Sequence, residues 1–246
     1  MNEPAKTFNR IDAVKHRKPR QPELVGRVTP CAPLRLIRWA AIWTVTLSAL
    51  AQDKPLYENN FEKAELGKVP DDFLVLDGGF TVREENGNRF LELPGAPLDS
   101  FSAQFGPTES SGVSVSARIK ATAKGRRFPA FGLGLNGVAG YKLQVTPGKK
   151  MLELYKDQSL KASVPWEWKP GQWLHLRLQL RLAKPGTWRI EGKAWAQDAP
   201  EPADWTITAD ETEEPIAGRA SLFGSPFSDT PIQYDDLRVE RSQANR

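Results

Sequence analysis

The chain has 246 residues, of which 26% are charged and 39% hydrophobic, and its 34 basic and 30 acidic residues give a formal charge of +4 at pH 7. It contains one cysteine, Cys31, and two histidines, His16 and His175. This composition excludes an internal disulfide and leaves too few cysteine and histidine ligands for a zinc site of the usual kind.

The first 51 residues have the features of a secretory leader. Arg35 and Arg38 precede an apolar run at 39–51, which ends in the small-residue pattern Ala-Leu-Ala at 49–51. A positively charged segment, a short apolar segment and an A-x-A site together predict a signal peptide. Because a membrane-spanning helix needs about 20 apolar residues, an uncleaved N-terminal anchor is the alternative and not the main expectation.

The segment at 1–33 is long for the charged part of a signal peptide and has no hydrophobic periodicity. We therefore expect translation to start near Val28 or Leu34. Residues 1–51 would then be an over-long N-terminus followed by the signal peptide.

Setting the leader aside changes the charge of the chain. Nine of the 34 basic and three of the 30 acidic residues lie at 1–51, so the remainder has 25 basic and 27 acidic residues, a formal charge of −2. No strongly cationic surface is left to attract nucleic acid or anionic lipid, so neither a nucleic-acid partner nor stable membrane insertion is expected. Residues 52–246 are enough for one well-buried domain, exported to the periplasm, the cell envelope or the medium.

From residue 55 onward, apolar and polar residues alternate with a period of two over many short stretches. These stretches lie at 80–84, 89–93, 113–120, 131–135, 141–145, 160–164 and 173–182. An Asn-Gly pair at 86–87 predicts a tight hairpin between the first two. Alternation of this kind, punctuated by turn signals, is typical of a sandwich or barrel. About a dozen strands are too many for one open twisted sheet, so we predict an all-β, two-sheet antiparallel sandwich of jelly-roll type.

The strand predicted at 173–182 has the clearest alternation. Successive side chains on a strand point to opposite faces, so one side of this strand should lie in the core. That side consists of Leu174, Leu176, Leu178, Leu180 and Leu182. The other side carries Trp173, His175, Arg177, Gln179 and Arg181. Burial of each leucine stabilises the fold by about 1.5–3 kcal/mol. This energy should fix the register of the strand.

The polar side of this strand is a candidate ligand-binding surface. If the next strand is its hairpin partner, two indoles come together with cations, an amide and a carboxylate, a mixture that suits sugar rings and hydroxyls. The predicted ligand-binding residues are Trp173, His175, Arg177, Gln179, Arg189, Glu191, Lys193 and Trp195. Arg118 and 142–144 would extend the surface if their strands share the sheet, and Gly132 and Gly134 would leave a trough free of side chains. The alternative is an ordinary solvated sheet face.

Three stretches together resemble a known superfamily: "LYENNFEKAELGKVPDDF" at 56–73, "PGQWLHLRLQLR" at 170–181 and "IQYDDLRVER" at 232–241. They are similar to the opening, middle and closing strands of concanavalin A-like lectin and glucanase domains. The nearest groups are laminin-G-like modules and bacterial 3-keto-disaccharide hydrolase-like domains, which are distantly related to family-16 glycoside hydrolases. The resemblance implies a two-sheet sandwich whose first and last strands pair.

The same resemblance implies a possible structural calcium ion. Related closing strands carry an aspartate in the position of Asp235, where calcium often bridges the terminal strands, and Asn60 or Glu62 would supply a further oxygen. Calcium takes oxygen ligands of this kind. The alternative is that Asp235 and Asp236 only place charge on an edge strand. No other cofactor is expected.

Catalysis of the usual kind in this superfamily needs two carboxylates on one strand, in the pattern E-x-D-x-x-E or E-x-D-x-E. The sequence lacks both patterns, and the acidic cluster at 210–214 reads as a solvated turn. We therefore favour an exported, non-catalytic module that binds glycan or polysaccharide. The alternatives are a hydrolase of the 3-keto-disaccharide type, with His175 or Glu191 as general acid or base, and a structural or protein-interaction domain of the envelope.

Overall fold

Fifteen strands, connected by turns and one short 3-10 turn at Pro147–Lys149, make up the computed structural model, which describes residues 54–97 and 99–242. All strand pairs are antiparallel, and the strands form two sheets. The predicted all-β, two-sheet sandwich is therefore confirmed, with more strands than the dozen expected. The predicted leader, including Cys31, lies outside the described residues.

The larger sheet has eight strands. They are β1 (Tyr57–Asn59), β3 (Thr81–Glu85), β4 (Asn88–Leu93), β6 (Val113–Ala121), β11 (Trp173–Lys184), β12 (Thr187–Ala196), β13 (Ile207–Glu211) and β15 (Ile232–Arg241). Their order is β13-β12-β11-β6-β15-β4-β3, and β1 pairs with β15 beside this path. The pairing of β1 with β15, with Tyr57 opposite Val239, joins the first strand to the last as the resemblance implied.

The smaller sheet has seven strands. They are β2 (Leu74–Asp77), β5 (Phe101–Glu109), β7 (Ala130–Leu135), β8 (Tyr141–Thr146), β9 (Met151–Lys156), β10 (Ser159–Pro165) and β14 (Gly218–Ser225). Their order is β10-β9-β8-β7-β14-β5-β2. Because β7 to β10 follow one another in the chain, this half of the sheet is a simple meander that short turns can connect.

The turn between β3 and β4 forms where the sequence predicted it. Asn86 and Gly87 have φ angles of 54° and 78°, the left-handed pair of a type I′ turn, which matches the twist of the flanking strands.

In the described part of the chain, no helix has the length and apolar character needed to cross a bilayer.

The hydrophobic core fills the space between the two sheets. Leu174, Leu176, Leu178 and Leu180 are at most 6% exposed, and their strand faces β7 and β8 of the other sheet. Leu182 was predicted to continue this row, and that prediction is wrong, because its side chain is 54% exposed. The pairing of β11 with β12 shifts register directly after Leu182, so the strand leaves the core there and its alternation no longer follows the sandwich interior.

Candidate functional site

The predicted ligand-binding residues lie together on the outer face of the eight-stranded sheet. The hairpin of β11 and β12 pairs His175 with Trp195 and Arg177 with Lys193. Gln179 lies opposite Glu191, one step further along the hairpin. Cross-strand partners share a face, so the register brings these side chains together as the sequence predicted.

Glu191 is enclosed on this face and carries no free oxygen. Arg181 donates two hydrogen bonds to its carboxylate, at 2.8 and 2.9 Å, and the amide of Gln179 donates a third at 2.9 Å. The Glu191 side chain is only 5% exposed. A carboxylate whose two oxygens accept from a guanidinium fork and an amide is fixed in position, and with no oxygen free for a substrate it is poorly suited to the acid or base role that the sequence suggested.

Lys193 is covered by the connection between β12 and β13. Its ammonium donates to the Pro202 carbonyl at 2.8 Å, pairs with Glu201 at 2.8 Å and lies 4.7 Å from the Trp205 ring centroid. Arg177 also reaches Glu201, at 3.3 Å. Residues 201–205 of this connection therefore lie over the outer face of β12, and Lys193 is buried.

The other cations of this face are also paired with carboxylates. Arg177 contacts Glu240 at 3.1 Å, and Arg189 forms two bonds to Asp210 at 2.7 and 2.8 Å. Asp210 belongs to β13, which ends at Glu211, so the first two residues of the predicted solvated turn at 210–214 lie in a strand. The outer face of the eight-stranded sheet is therefore largely a network of mutually satisfied charges, which has little hydrogen-bonding capacity left for a ligand.

Three aromatic residues of the predicted set, His175, Trp195 and Trp173, remain partly exposed. His175 stacks on Trp195 with ring centroids 5.1 Å apart, and burial, followed by the charge of Arg118, lowers the pKa of this histidine. Trp173 is held from two sides. Its ring lies edge-on to Phe90, and the Arg118 guanidinium lies 4.7 Å from its ring centroid. Arg118 shares this sheet, as the extended surface required.

The oxygens of the predicted calcium site have protein partners instead. Asp235 is 1% exposed, and its Oδ2 accepts hydrogen bonds from Arg118 and from the Asn88 amide at 2.9 Å. Glu62 accepts from the Arg89 backbone, and Asn60 accepts from the Glu62 backbone at 3.4 Å. In residues 54–97 and 99–242, no group of three or more His, Cys, Asp or Glu side chains is arranged to hold a metal ion.

Asp235 is compensated by a cation in place of a metal. Burial, together with the nearby charge of Asp236, raises the pKa of Asp235 in spite of its hydrogen bonds. Desolvation opposes the charged form of a carboxylate, and the Arg118 ion pair offsets part of that cost. The arginine thus occupies the position on the carboxylate where the sequence analysis placed calcium.

Lys142 and Gln144 do not extend this surface, because β8 belongs to the seven-stranded sheet. They lie on its outer face, where the register places Lys142 opposite Tyr155 of β9, and Gln144 opposite Gly132 of β7. Phe223 of β14 lies on the other side of Gly132. We call this surface the Phe223 face and define it by the outward side chains of Lys142, Gln144, Tyr155 and Phe223, all of them partly exposed.

The two glycines at the centre of the Phe223 face are required by close neighbours. A Cβ on Gly132 would lie 1.9 Å from the Leu143 carbonyl oxygen and 2.6 Å from Cζ of Phe223, and a Cβ on Gly134 would lie 2.4 Å from Oγ of Ser221. The predicted trough is therefore partly filled from β14. The Phe223 ring lies against the backbone at Gly132, which fixes its position on the sheet.

A hydrogen-bond network borders the Phe223 face. Glu153 accepts from Tyr155 at 3.0 Å, from Lys149 at 3.0 Å and from Thr146, while Gln144 donates to Thr146 at 2.9 Å. Burial by itself would raise the pKa of Glu153, but these hydrogen bonds hold it below its usual range. The network orients the hydroxyl of Tyr155 and the amide of Gln144.

Tyr155 and Phe223 were not among the ligand-binding residues predicted from the sequence. Both were available from alternation, because Leu154 and Leu222 are the inward neighbours and are fully buried. An aromatic residue out of phase with an inward row is a signal for an exposed ring on a sheet.

The sequence matches no family model and no curated protein. Solved structures match the fold at low identity. The carbohydrate recognition domain of Emp46p in a metal-free form aligns with a TM-score of 0.54 and 12% identity, over 77% of this chain and 97% of that one. The carbohydrate recognition domain of Emp47p aligns with a TM-score of 0.53 and 10% identity, over 77% and 97%.

A third structure was reported with endo-acting O-glycanases that prominent members of the human gut microbiota express to initiate mucin breakdown. It aligns with a TM-score of 0.51 and 13% identity, over 77% of this chain and all of that one. These likenesses show that the chain shares its two-sheet β-sandwich fold with these three structures.

Proposed function

We propose that this protein is a non-catalytic carbohydrate-binding domain whose glycan site is the Phe223 face. The observation that carries the proposal is the contrast between the two outer faces. On the eight-stranded sheet, Arg177, Arg181 and Lys193 are bound to carboxylates. On the Phe223 face, the Lys142 ammonium lies beside the rings of Tyr155 and Phe223, at 5.9 and 5.7 Å, without such a partner among the described residues.

The chemistry of this face suits a sugar. A pyranose ring presents an apolar C–H surface that packs on an aromatic ring, and its hydroxyls need donors and acceptors at the edge of that ring. Phe223 supplies the ring, Gln144 and Tyr155 supply polar groups, and the Glu153 network orients both of them. Because Phe223 is packed against the backbone at Gly132, little side-chain entropy is lost when a ligand binds.

The likeness to the Emp46p and Emp47p domains supports this proposal at the level of the fold. Those proteins are described as carbohydrate recognition domains, and each is covered almost completely by the alignment. A fold hosts many functions, so the assignment depends on the Phe223 face and its side chains and not on the likeness by itself.

A hydrolase remains the alternative, and it would have to depend on His175. Glu191 accepts hydrogen bonds from Arg181 and Gln179 and is a poor acid or base in that state. Incubation of a 3-keto-disaccharide with the wild type and with His175→Ala tests this alternative. Product that forms with the wild type and not with the variant would establish catalysis and overturn the non-catalytic assignment.

We also propose that the domain is exported, on the basis of the leader pattern at 35–51. N-terminal sequencing of the protein recovered from outside the cytoplasm should begin at Gln52. A chain that keeps residues 35–51 would contradict cleavage, and a chain that carries peptides from 2–27 would contradict the later start site.

A glycan array with two matched variants tests the site. Phe223→Ala and Trp195→Ala each remove one partly exposed ring, the first from the Phe223 face and the second from the eight-stranded sheet. We expect the wild type to bind glycans, Phe223→Ala to lose at least about tenfold in affinity, and Trp195→Ala to change it less than about twofold. Thermal melts test whether both variants are folded. If Phe223→Ala does not fold, Tyr155→Ala replaces it as the variant of the Phe223 face.

Each other result of the array contradicts part of the proposal. Loss of binding in Trp195→Ala alone would place the glycan on the sequence-predicted surface around His175. A wild type that binds no glycan would favour a structural or protein-interaction domain instead.

A further inference from the structure

Lys142 differs from most charged side chains on the strands of this protein. Strand-borne cations such as Arg118, Lys156 and Arg181 contact carboxylates at 3.1 Å or less. In the part of the chain that the structure describes, no carboxylate oxygen lies within 4.0 Å of the Lys142 ammonium, and this ammonium donates no hydrogen bond. Its neighbours are the rings of Tyr155 and Phe223.

The surroundings of Lys142 offset the cost of its charge only in part. Burial lowers the pKa of Lys142, and the more distant carboxylate of Asp157 opposes this effect. Two aromatic rings at nearly 6 Å stabilise a cation only modestly at exposed sites. An ammonium has three N–H donors, so the group retains its full hydrogen-bonding capacity for a ligand.

One other carboxylate of this sheet, that of Glu153, is already bound. Glu153, on the neighbouring strand, accepts from Lys149, Thr146 and Tyr155. On the opposite side, the register places Gly134 next to Lys142, so no side chain of β7 lies between the ammonium and solvent on that side. A ligand on the Phe223 face can therefore reach the ammonium with an anionic group.

From this geometry we infer that the protein binds anionic glycans, in which a carboxylate or sulfate group on the sugar pairs with Lys142 while the ring packs on Phe223. The inference rests on the proposed function and names its substrate class. An anionic oxygen at this position supplies the charge-assisted hydrogen bonds that Lys142 lacks within the chain. The formal charge of −2 on residues 52–246 works against non-specific attraction of polyanions, so preference for an acidic glycan would have a local cause.

Two pairs of polymers separate the charge of the ligand from its sugar. Polygalacturonate and its methyl ester differ in the carboxylate, and dextran sulfate and dextran differ in the sulfate, so the two pairs also distinguish the two sources of anionic oxygen. Affinity electrophoresis or calorimetry measures binding of the wild type, Lys142→Gln and Lys184→Gln. Lys184 is an exposed lysine at the end of β11 and is the matched control.

We expect the wild type to prefer at least one acidic polymer to its neutral partner by about tenfold or more. Lys142→Gln should lose that preference and retain affinity for the neutral polymer, and Lys184→Gln should behave as the wild type. Raising the salt concentration should weaken only the acidic preference, because screening acts on the ion pair. Thermal melts of Lys142→Gln establish that it is folded.

The other outcomes separate this inference from the proposed function. Equal affinity for acidic and neutral polymers, lost on Phe223→Ala, would overturn the anionic inference and leave the glycan site intact. An acidic preference that persists in Lys142→Gln would place the anion elsewhere and likewise overturn it. Binding of neither class, or binding that Phe223→Ala leaves unchanged, would overturn both.

Discussion

The imidazole of His175 stacks on the indole of Trp195, with ring centroids 5.1 Å apart and planes within 10° of parallel. The two residues are directly opposite each other on β11 and β12. Burial of the imidazole and, after it, the nearby Arg118 guanidinium favour the neutral imidazole over the imidazolium and lower the pKa of His175.

His175 should make the fold less stable in mildly acidic conditions. Its pKa is lower in the folded chain than the ordinary value of 6.5, so the unfolded chain binds a proton first as the pH falls. The stabilisation is present above pH 6.5 and is lost as the pH falls from 6.5 through the lower folded pKa. Between pH 7.5 and 5, the melting temperature of the wild type should fall more than that of His175→Gln. Equal slopes for the two proteins would contradict this.

Glu191 should contribute strongly to stability, because it is buried between Arg181 and Gln179. Glu191→Ala leaves the Arg181 guanidinium without its counter-charge, and breaking a buried pair in this way costs about 3–5 kcal/mol. Urea denaturation should show this loss in the free energy of unfolding.

Asp210→Ala is the matched control for Glu191→Ala, since Asp210 forms a similar two-bond contact with Arg189 at the surface. Solvent screens an exposed pair of this kind, so its removal should change stability little. A similar loss in both variants would show that burial does not distinguish the two ion pairs.

Gly132 should not tolerate a side chain. In Gly132→Ala the new Cβ would overlap the Leu143 carbonyl oxygen at 1.9 Å and the Phe223 ring at 2.6 Å. Overpacking of this kind costs about 1–3 kcal/mol, and displacement of Phe223 should also weaken glycan binding. The control is Gly148→Ala, because a Cβ on Gly148 has no neighbour within 4 Å. Thermal melts should show a lower melting temperature only for Gly132→Ala.

Calcium should not stabilise this protein. Asp235 is bound by Arg118 and Asn88, and Glu62 by the Arg89 backbone. Melting temperatures in calcium and in EDTA should therefore agree. A rise in calcium that Asp235→Asn removes would restore the site expected from the resemblance.

Much of the fold could be predicted from the sequence, because period-two alternation and turn chemistry are local properties. Asn86 and Gly87 form the predicted turn, and the row from Leu174 to Leu180 lies in the core as expected. The prediction was wrong for Leu182, because a register shift directly after it turns the strand out of the core. No local sequence pattern encodes such a shift.

The pairing of His175 with Trp195 also followed from the sequence, since a hairpin fixes which residues face each other. What these residues contact did not follow. Glu201 reaches Lys193 and Arg177 from a loop, and Asp235 reaches Arg118 from another strand. Such contacts depend on strand order and on the path of the connections, which alternation does not specify.

By itself the sequence determined that this chain is a two-sheet sandwich with one leucine row of β11 inside, because apolar burial and strand geometry act within a few residues. Only the tertiary structure determined which outer face leaves a charged group available to a ligand. Lys142 and Phe223 are 81 positions apart in the chain, and they become neighbours because β7, between their two strands, carries glycine where a side chain would separate them.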